Sequence, residues 1–208
     1  TSFKIVTDKQ IIDAYIKIPG RFSIYNALTA ISLAVLNGIN LVDAAVALEK
    51  AKGIKGRMET INVKKDYTII IDYAHTPDGL ENVLNSLNNL KENGKIITVF
   101  GCGGDRDKTK RPVMGSIACK KSDLVIITSD NPRSEEPISI IEDILKGTTD
   151  FTTPVIVIED RKTAIRTAME KASKGDIVLI AGKGHETYQI LKDKIISFDE
   201  REIIKAIG

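Results

Sequence analysis

Beyond Arg57, short runs of β-branched apolar residues alternate with longer stretches in which apolar residues recur at helical spacing. The short runs are typical of buried strands, and the longer stretches are typical of amphipathic helices. We expect strands at residues 68–72, 96–100, 124–128, 155–158 and 177–181, and helices at residues 77–91, 109–121, 138–146 and 161–173. Strands that alternate with helices predict an α/β fold, here a Rossmann-like, mainly parallel sheet with flanking helices.

The C-terminal end of the chain shows a different pattern. Residues 188–191 and 194–197 are short apolar segments separated by Lys192 and Asp193. This arrangement predicts a β-hairpin. Residues 199–207 follow with helical spacing, so we expect the chain to end in a helix.

The N-terminal end predicts a small group of strands and helices. Residues 3–6 and 15–18 alternate apolar and polar side chains, as half-buried strands do, and Pro19 ends the second of them. From Ile24 onward, apolar residues recur at helical spacing until Gly38, which is placed as a helix stop. We therefore expect two strands followed by a helix.

A second helix and a domain boundary follow. Residues 41–50 predict the helix, with Asn40 or Asp43 near its start. Gly53, Gly56 and the basic residues between them indicate a hinge or a boundary, because the organisation of the chain changes after them. The sequence therefore predicts two domains, residues 1–55 and 56–208.

Composition narrows the class of protein. The chain has 208 residues, with 30 basic and 28 acidic side chains and a net charge of +2. Because no basic block stands out, we expect neither a nucleic acid nor a membrane surface as partner. Cys102 and Cys119 form no C-x-x-C motif, and no apolar run is long enough for a signal or a membrane span. A cytoplasmic protein fits best, and the start at Thr1 without Met indicates a piece of something longer.

Four of the predicted strands are followed directly by loops rich in ligand-type residues. These loops are D-Y-A-H-T-P-D from Asp72, G-C-G-G-D-R-D from Gly101, S-D-N-P-R from Ser129 and A-G-K-G-H-E from Ala181. Parallel strands end at the same edge of a sheet, and ligands bind at that edge in open α/β folds. We therefore expect the four loops to form a shared site.

The loop S-D-N-P-R-S-E-E-P carries the most specific chemistry. Arg133 offers a planar fork suited to a carboxylate, and Asp130 can accept an ammonium group, so together they indicate a zwitterionic ligand. The alternative is a solvated turn, in which Asn131 and Pro132 set the bend and Glu135 or Glu136 favours the start of the next helix.

The first loop has two candidate residues, each with a structural alternative. Asp72 can accept hydrogen bonds from two hydroxyl groups such as a ribose diol, or it can cap the helix near Pro77 in competition with Thr76. His75 is a candidate catalytic acid or base, although an isolated histidine is more often structural.

The two glycine-rich loops give weaker signals. The loop at Gly101 matches neither the Walker A pattern nor G-x-G-x-x-G. Its Arg106 is free to hold an anion, and the alternative is a glycine-rich turn followed by solvated basic residues, namely Lys108, Lys110 and Arg111. In the loop after Ala181, Glu186 could receive an amine. The alternative is phosphate binding by the two glycines, which that carboxylate would oppose unless a metal ion lay between them.

Taken together, these stretches make the chain resemble the C-terminal part of a Mur ligase. The matching stretches lie in the family's order and span nearly the whole chain. They are G-R-F-S-I-Y-N at residues 20–26, G-R-M-E at residues 56–59, D-Y-A-H-T-P-D, G-C-G-G-D-R-D-K-T-K-R-P, D-N-P-R-S-E-E-P and A-G-K-G-H-E-T-Y-Q. Ser23 departs from the asparagine that members often have at this position.

The resemblance implies roles for individual residues. Asn26 would contact adenine, Arg57 would reach the ribose and phosphates of the nucleotide, and Asp72 would hold the ribose. In the branch that uses meso-diaminopimelate, the arginine of D-N-P-R grips the distal carboxylate, which lysine lacks. The positions that match the family's amino-acid site are Arg106, Asp130, Asn131, Pro132, Arg133, Gly182 and Glu186.

The resemblance also implies an activity and a domain assignment. The full enzyme would be an ATP-dependent ligase that adds meso-diaminopimelate to UDP-N-acetylmuramoyl-L-alanyl-D-glutamate in peptidoglycan precursor synthesis, acting as a monomer. Residues 1–55 would be the end of the central ATP-binding domain, and residues 56–208 would be the C-terminal domain. The P-loop, the Mg²⁺ ligands and the modified lysine of the family would lie upstream of Thr1. We therefore expect no metal site in this chain and no ligase activity from it alone.

Two alternative functions remain open on the sequence. The first is a ligase of the same architecture with another acceptor, either a lysine-adding enzyme or a folylpolyglutamate synthetase. The second is a non-catalytic module that binds an amino acid or a nucleotide. Amino-acid competition assays separate the ligases from each other, and activity assays separate a ligase from a binding module.

Overall fold

The structure is a computed structural model that describes residues 1–18 and 20–208, without the side chains of Arg21 and Phe22. The chain divides into two compact units, Thr1–Ile54 and Lys55–Gly208. The expected strand end at Pro19 lies outside the described residues.

The first unit consists of a hairpin and two helices. Strands β1 (Ser2–Val6) and β2 (Ile11–Tyr15) pair antiparallel, and helices α1 (Arg21–Leu36) and α2 (Leu41–Glu49) follow. Its small core contains Ile5 from the hairpin. The other buried members of this core are Ala14, Ile31, Leu41, Ala44 and Ala45.

The second strand lies earlier than the sequence predicts. Its expected position at residues 15–18 is wrong, because a tight turn brings Ile11 opposite Val6. The Thr7 backbone N–H donates to Gln10 O at 3.0 Å, and the Thr7 hydroxyl accepts from the Gln10 N–H at 3.1 Å. This closed turn sets the register, so β2 begins immediately after it.

The helix boundaries of this unit follow local rules. Asn40 caps α2, since its side chain accepts a hydrogen bond from Val42 N at 2.8 Å. Gly38 has a φ of 86° and follows the end of α1, which confirms it as the helix stop.

The second unit contains a six-stranded sheet, which confirms the predicted mainly parallel α/β fold. Its strands are β3 (Glu59–Ile61), β4 (Thr68–Asp72), β5 (Ile96–Phe100), β6 (Leu124–Ile127), β7 (Val155–Val157) and β8 (Ile177–Ala181). They lie in the order β3-β4-β8-β5-β6-β7. Only β3, which the sequence analysis did not predict, runs antiparallel to its neighbour within this sheet.

Helices and a second hairpin complete this unit. The helices are α3 (Pro77–Leu90), α4 (Lys110–Lys121), α5 (Pro137–Leu145), α6 (Arg161–Lys171) and α7 (Glu200–Ile207). The hairpin strands are β9 (Tyr188–Ile190) and β10 (Ile195–Ser197).

Two groups of helices cover the sheet. Helices α3, α4 and α5 contact one another in succession, while α6 packs on β5, β6 and β8 and contacts α7. Alternate strand residues enclose a core with α6 and α7 that includes Ile71, Val99, Ile126 and Ile180. Among the described residues, no helix combines the length and the apolar character needed to span a membrane.

Candidate functional site

The loops that follow β4, β5, β6 and β8 meet at one edge of the sheet and line a cleft of about 400 Å³. Seven of the residues singled out in the sequence line this cleft: His75, Arg106, Asp130, Asn131, Arg133, Gly182 and Glu186. The other lining residues are Tyr73, Thr76, Gly103, Asp107 and Lys110. The cleft therefore has both cationic and anionic side chains on its walls.

Arg133 is held in place by backbone contacts. Its Nη1 donates to Gly104 O at 2.8 Å and to Asn131 O at 3.4 Å, and its backbone N–H donates to Ile190 O at 3.1 Å. Within the described part of the chain, Nε and Nη2 have no hydrogen-bond partner. This leaves one edge of the planar guanidinium available for a ligand carboxylate. The φ of 53° at Arg133 is uncommon for a residue other than glycine.

Arg106 supplies a second cation on the same side of the cleft. It is exposed and makes no hydrogen bond or ion pair with any described residue. Both arginines lie close to Gly103, because an ideal Cβ at this glycine would lie 2.8 Å from Arg133 Nη1 and 3.8 Å from Arg106 Cγ. Two guanidinium groups around one glycine can bind carboxylates.

The opposite character comes from Asp130 and Glu186. Asp130 is only 6% exposed, yet its carboxylate accepts no hydrogen bond from the described residues. Its Oδ1 lies 3.6 Å from the Lys183 ammonium. Glu186 Oε2 accepts from Asn131 Nδ2 at 2.9 Å and from Lys183 Nζ at 3.0 Å. These carboxylates can accept a ligand ammonium group.

Glycine is required beside these acids. Gly182 has a φ of 117°, and a Cβ there would lie 2.6 Å from Asp130 Oδ2. Pro132 does not line the cleft; its carbonyl accepts from Glu135 N at 3.1 Å. Its contribution is therefore to the shape of the loop.

A buried arginine joins two of the site loops. Arg111 has no exposed surface and pairs with Glu135 at 2.9 Å and with Asp143 at 3.0 Å. Glu135 also accepts from Asp105 N at 2.7 Å. The interpretation of Arg111 as solvated is therefore wrong, because its guanidinium ties the glycine-rich loop to the loop that carries Arg133. Lys108 also pairs with Glu135, at 3.2 Å, but its side chain is 65% exposed.

The ion pair between Arg111 and Glu135 should contribute to the stability of the protein in a way that depends on pH. Hydrogen bonds from Arg111 lower the pKa of Glu135 from 4.5 to about 2. The contribution of Glu135 should be fully present above pH 4.5 and be lost as the pH falls from 4.5 to about 2. We expect the difference in unfolding free energy between the parent and Glu135→Gln to shrink over this range, as measured by urea unfolding at several pH values.

Glu136→Gln is the matched control for this prediction. The Glu136 side chain is 67% exposed, and its one ion-pair partner among the described residues is Lys192, which is 62% exposed, at 3.4 Å. Its substitution should leave the pH dependence close to that of the parent. A parent and a Glu135→Gln variant that lose stability in parallel below pH 4.5 would contradict a stabilising role of the ion pair between Arg111 and Glu135.

Asp72 lies outside the cleft. Its Oδ2 accepts from Met58 N and its Oδ1 from Ala74 N, both at 2.8 Å. Burial raises the pKa of this carboxyl, and the two backbone hydrogen bonds oppose the rise. The helix-capping interpretation of Asp72 is wrong, because Thr76 caps α3 by accepting from Gly79 N at 3.2 Å. Asp72 instead holds the start of the second unit against the end of β4.

The remaining candidates surround Tyr73 or lie in the first unit. The Arg57 guanidinium lies 4.9 Å above the centre of the Tyr73 ring, and the His75 ring lies 4.6 Å from it. His75 Nδ1 is 2.8 Å from Tyr73 O. Because a carbonyl only accepts, Nδ1 carries a proton, and Nε2 of the neutral ring can accept one. Asn26 is exposed on α1 of the first unit.

Sequence reasoning missed the fully buried Lys183, which contacts three residues of the cleft wall. The only signal was its position between two glycines in a loop at a strand end. It also missed a buried ion pair between Arg161 and Glu200, in which Nε and Oε1 are 2.7 Å apart. The described residues contain no group of three or more His, Cys, Asp or Glu side chains that could hold a metal ion.

Comparisons with known proteins place this arrangement in a family. Residues 56–184 match the family described as Mur ligase, glutamate ligase domain. The UDP-N-acetylmuramoyl-L-alanyl-D-glutamate--2,6-diaminopimelate ligase of Caldanaerobacter subterraneus subsp. tengcongensis is 51% identical over 205 residues, which cover 99% of this chain and 42% of the relative. The enzyme of the same name from Clostridium tetani is 53% identical over 194 residues, which cover 92% and 39%.

A solved structure agrees with these relatives. It is a UDP-N-acetylmuramoyl-L-alanyl-D-glutamate--2,6-diaminopimelate ligase that superposes with a TM-score of 0.73 at 38% identity. The match covers 99% of this chain and 42% of that chain, so the present chain spans less than half the length of the proteins it resembles. The match over residues 56–184 confirms the resemblance seen in the sequence, and the chain belongs to the Mur ligase family.

Proposed function

We propose that this chain forms the amino-acid site and part of the nucleotide site of an ATP-dependent ligase. The ligase would add meso-diaminopimelate to UDP-N-acetylmuramoyl-L-alanyl-D-glutamate in peptidoglycan precursor synthesis. One observation carries the proposal: the cleft combines the guanidinium groups of Arg106 and Arg133 with the carboxylates of Asp130 and Glu186. The names of the relatives at 51% and 53% identity support the same substrate.

The charges of the cleft suit a ligand with both carboxylates and ammonium groups. meso-Diaminopimelate has two of each, one pair at either end of its carbon chain. The partner-free edge of Arg133 would take the distal carboxylate, and Asp130 and Glu186 would take an ammonium group. Lysine has no distal carboxylate, so a site built around Arg133 would favour diaminopimelate.

The proposed reaction forms an amide in two steps. ATP would phosphorylate the γ-carboxylate of the D-glutamyl residue, and the diaminopimelate amine would then attack the acyl phosphate. The new C–N bond would replace the bond from carbon to the phosphate oxygen, and inorganic phosphate would leave. The attacking ammonium group must first lose a proton to become a nucleophilic amine, and Nε2 of His75 is the candidate acceptor in the cleft. The other cleft residues would contribute by orienting the amine.

The nucleotide would be bound by residues outside the cleft. In this proposal Asn26 contacts adenine, Arg57 contacts the ribose and phosphates, and Asp72 holds the ribose. Mg²⁺ would act together with ATP in the full-length ligase, with its ligands supplied by other parts of that protein. The ligase would act as a cytoplasmic monomer, without nucleic acid or membrane as partner.

Amide formation by the full-length protein tests the proposed function. With ATP, the UDP-linked dipeptide and meso-diaminopimelate, we expect the UDP-linked tripeptide together with ADP and phosphate. L-Lysine in place of diaminopimelate should be a poor substrate, and the 208-residue chain alone should form no amide. Preferred use of lysine or glutamate would contradict the choice of substrate. Ligand binding without any amide formation would favour the non-catalytic module.

A further inference from the structure

Lys183 is a fully buried lysine that the proposed reaction leaves without a role. Its Nζ donates to Asn131 Oδ1 at 2.9 Å and to Glu186 Oε2 at 3.0 Å, and it lies 3.6 Å from Asp130 Oδ1. All three partners line the cleft, whereas Lys183 does not. A buried ammonium needs partners to offset its lost hydration, and for Lys183 these partners are this wall of the cleft and the ring of Tyr188, whose centre is 5.8 Å from Nζ.

The glycines on either side of Lys183 allow the loop to turn, so that the lysine side chain lies beneath the residues that line the cleft. Gly182 and Gly184 have φ angles of 117° and 55°. Glu186 N donates to Lys183 O at 3.0 Å, which closes a turn from Lys183 to Glu186. A Cβ at Gly184 would lie 2.6 Å from Tyr73 Cβ, so the loop packs closely against the end of β4. The turn presents Glu186 to the cleft and directs the lysine ammonium toward Asp130 and Asn131.

The hydrogen bonds among Lys183, Asn131 and Glu186 form a closed triangle. Asn131 Oδ1 accepts from Lys183 Nζ and from Ile190 N, while Asn131 Nδ2 donates to Glu186 Oε2. The amide and the carboxylate are thereby fixed in orientation. In the described part of the chain, Glu186 Oε1 and both carboxylate oxygens of Asp130 accept no hydrogen bond and remain open to a ligand.

The charges of this group match one ammonium ion. Two carboxylates and one lysine ammonium leave a single net negative charge on Asp130, Glu186 and Lys183. Without the lysine, the two carboxylates would repel each other and lose the contact that orients them. We propose that Lys183 is a positioning residue that holds Asp130 and Glu186 as the binding site for one ammonium group of the amino-acid substrate. This inference rests on the proposed function.

Kinetics of Lys183→Met in the full-length ligase test the inference. We expect the KM for meso-diaminopimelate to rise at least ~10-fold, as for the loss of a charged hydrogen-bond network. The KM values for ATP and the UDP-linked dipeptide should change by less than about twofold, because these substrates do not contact the acids. Lys162→Met is the control, since Lys162 is exposed on α6 and has no partner among the described residues.

Chemical rescue separates positioning from a general structural role. Lys183→Ala removes the ammonium and leaves room for a small amine, so ethylammonium should lower the raised KM for diaminopimelate. Tetramethylammonium has no N–H group and should not. A double variant, Lys183→Met with Glu186→Gln, should show a KM close to that of either single variant, because both substitutions break the same unit.

Several results would overturn the inference. One is an unchanged KM for diaminopimelate in a folded Lys183→Met protein, and another is an equal rise for all three substrates. A double variant whose effect is the product of the single effects would also overturn it, as would a folded Lys183→Ala protein that ethylammonium does not rescue. A parent protein that forms no amide with diaminopimelate would refute the proposed function itself, and this inference with it.

Discussion

Replacing Arg133 with methionine in the full-length ligase is expected to raise the KM for meso-diaminopimelate by ~10–100-fold, the range for losing charge-assisted hydrogen bonds. The partner-free Nε and Nη2 of Arg133 are the donors that would hold the distal carboxylate. Methionine keeps an unbranched side chain at this position, where φ is 53°, so the backbone should tolerate it. Steady-state kinetics with each substrate varied in turn provide the measurement.

Selectivity makes this test specific. Lysine has no distal carboxylate for Arg133 to bind, so the variant should use lysine about as well as the parent does. The preference for diaminopimelate over lysine should therefore fall by the same ~10–100-fold. Lys192→Met, which removes an exposed cation on the adjacent hairpin, should change neither value. Equal rises in the KM for diaminopimelate and ATP would show that Arg133 acts through the loop structure instead.

The largest expected loss of stability comes from the buried pair of Arg161 and Glu200. Both side chains have no exposed surface, and the pair is 2.7 Å apart. Removing one partner of such a pair leaves the other charge buried, which costs ~3–5 kcal/mol. We expect Glu200→Ala to lower the unfolding free energy by this amount and the melting temperature by about 10 °C. Urea and thermal unfolding followed by circular dichroism measure the two effects.

The pair of Arg161 and Glu200 also contacts the two strand ends that lead into loops of the candidate site. Arg161 Nη1 donates to Ser129 O at 3.3 Å and Nη2 donates to Ala181 O at 2.8 Å, at the ends of β6 and β8. The double variant Arg161→Met with Glu200→Leu removes both charges of this pair and leaves neither of them unpaired, so it should be more stable than Glu200→Ala. Glu136→Ala, from an exposed pair, should cost less than ~1 kcal/mol. A Glu200→Ala protein as stable as the Glu136→Ala control would contradict this account.

The sheet was predictable because its central strands are buried on both faces. Continuous apolar runs gave the bounds of β4, β5 and β8 correctly. The edge strand β3 was missed because it has only three residues, with one neighbour in the sheet. The position of β2 was wrong because the turn at Thr7 sets its register, and alternation alone fitted more than one register.

The sequence predicted which loops form the site, but it did not predict the hydrogen bonds and ion pairs between their side chains. Parallel strands required the four loops to meet, and they brought Arg106, Asp130 and Glu186 to one cleft. Whether a charged side chain points to solvent or to the interior depends on contacts distant in sequence. Arg111 therefore resembled a solvated residue although it contacts Glu135, and Lys183 gave no sign of its contact with Asn131, 52 positions away.

A crystal structure of the full-length ligase with meso-diaminopimelate bound tests the central claim most directly. We expect one carboxylate of the ligand within hydrogen-bond distance of the Arg133 guanidinium, with N···O separations of ~2.7–2.9 Å. An ammonium group should lie at a similar distance from Asp130 or Glu186. Diaminopimelate bound outside the cleft, or bound with its distal carboxylate away from Arg133, would contradict the proposal that this cleft recognises the amino acid.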